Sequence, residues 1–149
     1  MEILFSKYEL IIKTENGSQF IFDVIRKKYV VLTPEEWVRQ HIVHYLIHDY
    51  LFPKSLISLE KKLVLNELVK RTDIVLFNRK GKPVLIVECK SESVNLSQKT
   101  FEQIARYNLK LEVPFLWVSN GKINHLCKID LEIRKFSFLS SLPPVSDLV

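Results

Sequence analysis

Glycine is scarce in this chain: 149 residues hold only three, Gly17, Gly81 and Gly121. A Gly-x-x-x-x-Gly-Lys-Ser/Thr loop needs its glycines close together, so scattered ones exclude nucleotide chemistry through such a loop. Cysteine is nearly as rare. Cys89 and Cys127 stand alone, with no metal-type spacing, and both fall in expected strands. They read as reduced, partly buried thiols of a cytoplasmic protein rather than as a disulfide framework. No apolar run reaches the roughly 20 residues of a membrane span. The opening Met-Glu-Ile-Leu-Phe-Ser-Lys lacks the basic start and apolar core of a secretory signal. No repeat, low-complexity tract or second domain is visible, and residues 1–149 read as one domain.

What is present is an ordinary globular composition, 47% hydrophobic and 26% charged, with a net charge of +5. The basic groups cluster as Arg26-Lys27-Lys28, Lys61-Lys62, Lys70-Arg71 and Arg79-Lys80-Lys82. Each cluster alone is ordinary solvated surface. Together they suit a polyanionic partner without identifying one.

Chemistry concentrates between Lys70 and Lys90. Two apolar runs, Ile74 to Phe77 and Val84 to Val87, flank a polar segment with Gly81, the pattern of a hairpin. A turn centred between Lys80 and Gly81 sets Asp73 across from Glu88, and Arg71 across from Lys90. Alternation puts Glu88 and Lys90 on one face, with Asp73 beside Glu88. Like charges directly opposed destabilise a hairpin, so this pair calls for a compensating cation. Mg²⁺ takes oxygen ligands, often one or two carboxylates with water and phosphate, and the Lys90 ammonium suits an attacking hydroxide or a crowded phosphate. Solvated strand ends, with Asp73 paired to Arg71, would give the same pattern. A bulge would turn Glu88 to the other face. Neither apolar run alternates cleanly, which implies burial on both faces in the middle of a sheet.

Elsewhere, residues 3–12 and 19–25 alternate around Asn16-Gly17, so residues 1–32 are expected to form a β arm. A helix should start at Thr33, with Pro34 in its first turn and Glu36 completing a capping box. Val38, Ile42, Tyr45 and Leu46 give its apolar face. Trp37, His41, His44 and His48 form a second stripe, expected to be solvated or to line a groove, since no further ligand at helical spacing completes a metal site. Leu56 to Leu65 reads as a strand centred on Glu60, either a further acidic site member or a polar face residue. A second helix, 98–112, buries Phe101, Ile104, Ala105 and Leu109 and turns Gln103 and Tyr107 outward. Strands at 113–119 and 123–129 flank Asn120-Gly121, a further strand is expected within 130–139, and residues 140–149 read as a tail. The architecture is a mixed sheet with helices packed on it.

An Asp on one strand and Glu-x-Lys on the next resembles the PD-(D/E)XK nuclease superfamily. More narrowly, the chain resembles the N-terminal nuclease domain of type I restriction enzyme R subunits. The likeness rests on Leu-Thr-Pro-Glu-Glu-Trp-Val-Arg-Gln (32–40), Lys-Arg-Thr-Asp (70–73), Val-Glu-Cys-Lys (87–90), Gln-Ile-Ala-Arg-Tyr-Asn (103–108) and Ser-Asn-Gly (119–121). It implies an α/β (α+β), restriction-endonuclease-like fold, with a central mixed β-sheet flanked by helices and an N-terminal β-hairpin extension. It also implies Mg²⁺ or Mn²⁺ held by Asp73, Glu88 and the backbone carbonyl of Cys89, with Lys90 acting on the phosphate. Gln103 and Tyr107 match a supporting Gln-x-x-x-Tyr motif, and Glu36 is the positional match to a helical glutamate of the site. The expected activity is DNA phosphodiester hydrolysis without the ATP-driven motor. A protein partner would supply sequence choice, and a homodimer would cut two strands. Two rivals share this fold: an idle module that binds nucleic acid or protein, and a ribonuclease using the same site.

Overall fold

The computed structural model describes residues 7–149. Strands β1 (Ile12–Glu15), β2 (Ser18–Asp23) and β3 (Lys28–Val31) form an antiparallel three-stranded layer. Asn16 and Gly17, at φ 53° and 79°, make the first turn. Positive φ at both central residues is what a two-residue hairpin loop demands. The first strand starts later than expected, and the earliest part of the expected segment lies outside the described residues. At the second turn the buried Asp23 carboxylate accepts the N–H groups of Ile25 and Arg26 at 2.8 and 2.9 Å. This bends the chain and turns Arg26 inward from the basic triplet.

Helix α1 (Pro34–His48) begins where the sequence indicates, with Thr33 Oγ1 accepting the Glu36 N–H at 3.0 Å. Thr33→Ala should cost about 1 kcal/mol. The urea midpoint should fall with an unchanged slope; an unmoved midpoint would mean the helix does not depend on this cap. The helix buries more than one stripe. Val38, Ile42, Val43 and Leu46 are wholly buried, but so are Gln40 and His41. His41 is therefore a core residue and not part of a solvated or groove-lining stripe. Its Nδ1 lies 2.7 Å from the Trp37 carbonyl, which can only accept. Tyr8 lies over His44 and His48, with ring centroids 5.9 and 6.3 Å away, so the segment before β1 covers this side of the helix.

The segment 56–65 is not one strand. It divides at Glu60, where φ is +53°, into β4 (Ile57–Leu59) and β5 (Lys62–Leu65). β5 pairs only with β6 (Leu68–Arg71), as a separate two-stranded arm, so Arg71 opposes Lys62 and not Lys90. The remaining strands, β7 (Ile74–Phe77), β8 (Pro83–Cys89), β9 (Phe115–Ser119), β10 (Asn124–Asp130) and β11 (Lys135–Leu139), join β4 in a six-stranded sheet of order β11-β10-β9-β8-β7-β4. Only β8 and β9 run parallel, linked through α2 (Gln98–Asn108). The β7–β8 register is the expected one, with Ile74 opposite Val87 and Leu76 opposite Leu85. Its one slip falls at Phe77, beside the turn, and leaves the functional end in register.

Both faces of this sheet are covered. Leu85, Val87 and Cys89 of β8 join the core containing α1 residues and Trp117, whereas Ile86 joins Phe101 and Ala105 of α2 in a second core. α2 ends earlier than expected, in a 3₁₀ turn over Leu109–Leu111, and Glu112 at φ +56° stops it. The expected tail instead packs down. The short helix α3 (Val145–Leu148) buries Leu148 in the first core, and Tyr50 donates its hydroxyl to the Pro143 carbonyl.

Candidate active site

The ends of β7 and β8 bring the acidic residues together. Asp73 lies just before β7, and its Oδ2 accepts the Cys89 N–H at 2.8 Å. This side-chain bond continues the ladder one step past Ile74 and Val87. Glu88 faces the second core, with a side chain only 8% exposed. Its Oε1 receives Lys70 Nζ at 2.8 Å and Asn108 Nδ2 at 3.1 Å. Glu88, Lys90, Gln103 and Tyr107, four of the residues singled out from sequence, line one cavity of about 300 Å³ together with Lys70 and Asn108. The Lys90 N–H is tied to the Ser119 carbonyl at 2.8 Å. Its ammonium makes no ion pair with any described residue.

Asp73, Cys89 and Glu36 line a second, larger cleft of about 620 Å³, walled by the start of α1 and by β3. The carboxylates are thus divided between adjoining cavities that share the end of β8, and they still sense one another. Burial pushes the Asp73 pKa up and the Glu88 charge adds to this, against the Cys89 N–H, Arg39 and Lys90. Glu35, though exposed at the rim, shifts the same way: partial desolvation raises its pKa and Asp73 raises it further, against Lys90 and Arg39.

Glu36 is held differently. Burial alone would raise its pKa, but hydrogen bonds and charge from Arg39, with Gln40 and Arg26, together hold it below the ordinary value. Arg39 Nε reaches Glu36 Oε2 at 2.7 Å, and Arg26 Nη2 reaches Oε1 at 3.1 Å. Its carboxylate serves this cluster, while Glu35, exposed at the rim, carries the charge that couples to Asp73. Neighbouring helical positions point about 100° apart, so the two adjacent glutamates have different surroundings. Glu60 joins the same cluster through Arg26, Arg39 and Arg71, at 3.2, 3.2 and 3.0 Å. Lys70 and Asn108 were missed, because their place at Glu88 depends on long-range packing.

Among the described residues, no three His, Cys, Asp or Glu side chains converge into a metal cage. Magnesium does not require one, since it keeps several waters and takes one or two carboxylates with substrate phosphates. Hard oxygen donors are available here. Besides Asp73 and Glu88 there is Asn108 Oδ1, buried and without a hydrogen-bond partner. Its Nδ2 is engaged by Glu88 and the Ile104 carbonyl, at 3.1 and 2.8 Å, which turns the amide oxygen away from both. Oxygen donors of this type suit a hard, hydrated divalent ion. The cysteines do not contribute thiolates: burial pushes the Cys89 thiol well above its usual value and Cys127 up to about 12.

The structure defines a mixed α/β domain: a central mixed sheet, helices on both faces, an N-terminal β layer, and an acidic and lysine-bearing strand end between two cavities. The profile of the type I restriction enzyme R protein N terminus (HSDR_N) matches residues 34–143, and the chain belongs to that family. The three-stranded N-terminal layer precedes the matched region. No curated protein gives a match. Among solved structures, a fragment described as a putative HsdR subunit of a type I restriction enzyme from Vibrio vulnificus YJ016 is similar at 23% identity and a TM-score of 0.41. That similarity covers 62% of this chain and 19% of the other.

Proposed function

We propose that this chain is an endonuclease that hydrolyses DNA phosphodiester bonds with Mg²⁺ or Mn²⁺. The observation that carries this reading is the cavity where Glu88, Lys90, Gln103 and Tyr107 meet, next to Asp73 bonded to the adjoining residue of β8. Asp73 and Glu88 would hold the ion, with the Cys89 carbonyl as a further ligand. The bound ion supplies a water of lowered pKa and stabilises charge gathering on the phosphate. Desolvation and the Glu88 charge oppose the ionisation of the half-buried Asp73, and such a cation relieves this. Lys90 places an ammonium at the same strand end, preorganised for negative charge on the phosphate. Gln103 orients the attacked group or contacts the DNA backbone. Sequence choice would come from a protein partner.

The test is cleavage of supercoiled plasmid and single-stranded DNA with Mg²⁺, Mn²⁺ or EDTA. Nicking that needs metal and falls at least about 100-fold in both Glu88→Ala and Lys90→Ala is expected. Equal activity in the three proteins would assign the nicking to a contaminant. Metal binding by the wild type without any cleavage would favour the idle binding module, and preference for RNA would favour the ribonuclease.

A further inference from the structure

Resting on that nuclease reading, we infer that Lys70 is a substrate-positioning residue. Its ammonium fills the cation place at Glu88 in the metal-free protein. When a divalent ion takes that place, Lys70 moves to the nucleic-acid phosphate beside it.

The β5–β6 arm aims this lysine. Along the arm, Lys62, Val64, Val69 and Arg71 are exposed, while Leu63, Leu68 and Lys70 turn the other way. Leu63 and Leu68 pack against the core under α2, so the face that seats the arm also points Lys70 into the cavity. A slip of one residue would turn Lys70 to solvent. Its side chain is 21% exposed, against 65% for its neighbour Arg71.

The ammonium is held at two points. It lies 2.8 Å from Glu88 Oε1 and 5.0 Å from the centre of the Tyr107 ring. A cation over an aromatic face is attracted by the ring quadrupole. This gives Tyr107, 40% exposed on the outer side of its helix, a physical role as the rest on which Lys70 lies. A divalent ion on either oxygen of Glu88 repels the ammonium beside it and weakens its ion pair, so binding of the ion loosens Lys70. The side chain is tethered by Tyr107 in a cavity it shares with Lys90. Two ammonium groups there, with Glu88 neutralised by the ion, favour an anion. Lysine binds phosphate as a mobile point charge rather than through a fixed fork.

Mn²⁺ binding to the metal-free chain, read from the electron paramagnetic resonance of free Mn²⁺, tests the exchange. Lys70→Met keeps the stem and removes the competing charge, so it should bind Mn²⁺ about tenfold more tightly than the wild type. Its affinity for duplex DNA in Ca²⁺ should fall, with the salt slope reduced by about one phosphate contact. Lys70→Arg should restore much of both and guards against a variant that merely folds poorly. Unchanged or weaker Mn²⁺ binding by Lys70→Met, with the wild type binding Mn²⁺ and cleaving DNA, would overturn the exchange and leave the nuclease reading standing. Unchanged DNA affinity and salt slope would overturn the transfer to phosphate. A wild-type chain that neither binds Mn²⁺ nor cleaves would overturn both readings.

Discussion

Asp73→Asn is expected to abolish cleavage while raising the melting temperature of the metal-free protein. The side chain is half-buried, in the cavity adjoining that of Glu88, and burial, with the Glu88 charge, raises its pKa. In the pH window between the ordinary carboxylate value of 3.8 and that raised value, the folded state binds more protons than the unfolded one. Stability contributed by the protonated group is present at the bottom of this window and is lost as pH climbs through it, so at neutral pH the ionised Asp73 is a cost. Asparagine keeps an oxygen for the Cys89 N–H and removes the charge. The metal-free melting temperature at pH 7 should rise by about a few degrees, and stability should change less between pH 4 and 7 than in the wild type. Saturating Mn²⁺ should reverse the order. An ion at 100 times its dissociation constant adds about 2.7 kcal/mol to the wild type, and the variant should gain little. A metal-free Asp73→Asn protein less stable than the wild type would show that Asp73 serves the strand end as a structural acceptor.

The contrast between Asp73 and Glu36 shows what a single sequence does and does not carry. The β7–β8 register was legible because it is local: a short turn and two apolar runs fix which residues oppose one another, and the ladder matches from Ile74 to Leu76. The Thr33 cap and the turn at Asn16-Gly17 were legible for the same reason. The outward face of α2 was visible from helical spacing, and the resemblance to the R-subunit Gln-x-x-x-Tyr motif is what associated Gln103 and Tyr107 with Glu88, whose cavity they line. The break at Glu60 was not. Its carboxylate is gathered by Arg26, Arg39 and Arg71, from the N-terminal layer, α1 and the β5–β6 arm. No local pattern announces such a convergence, and the continuous run from Leu56 to Leu65 conceals it. The burial of His41 likewise follows from how distant elements cover α1.

Arg39→Ala should be among the most destabilising single changes outside the apolar cores, at about 3–5 kcal/mol. The reason is asymmetric. Glu36 is 7% exposed, and Arg39 supplies its close two-point partner; Arg26 remains on only one of the two oxygens. Removing the arginine leaves a buried carboxylate largely unneutralised and frees part of Glu60 as well. Glu36→Gln with Arg39→Met removes both charges and should recover much of the loss, with a coupling energy well beyond the few tenths expected of independent sites. Urea denaturation of the two single variants and the pair measures this. The same cycle bears on chemistry. If Glu36 frames the cleft rather than holding the ion, Glu36→Gln assayed well below its melting temperature should retain nicking within about tenfold of the wild type, far from the fall expected of Glu88→Ala. A Glu36→Gln protein as inactive as Glu88→Ala, yet folded, would place Glu36 within the chemistry and make its arginine clamp the means of holding that carboxylate ionised beside Asp73.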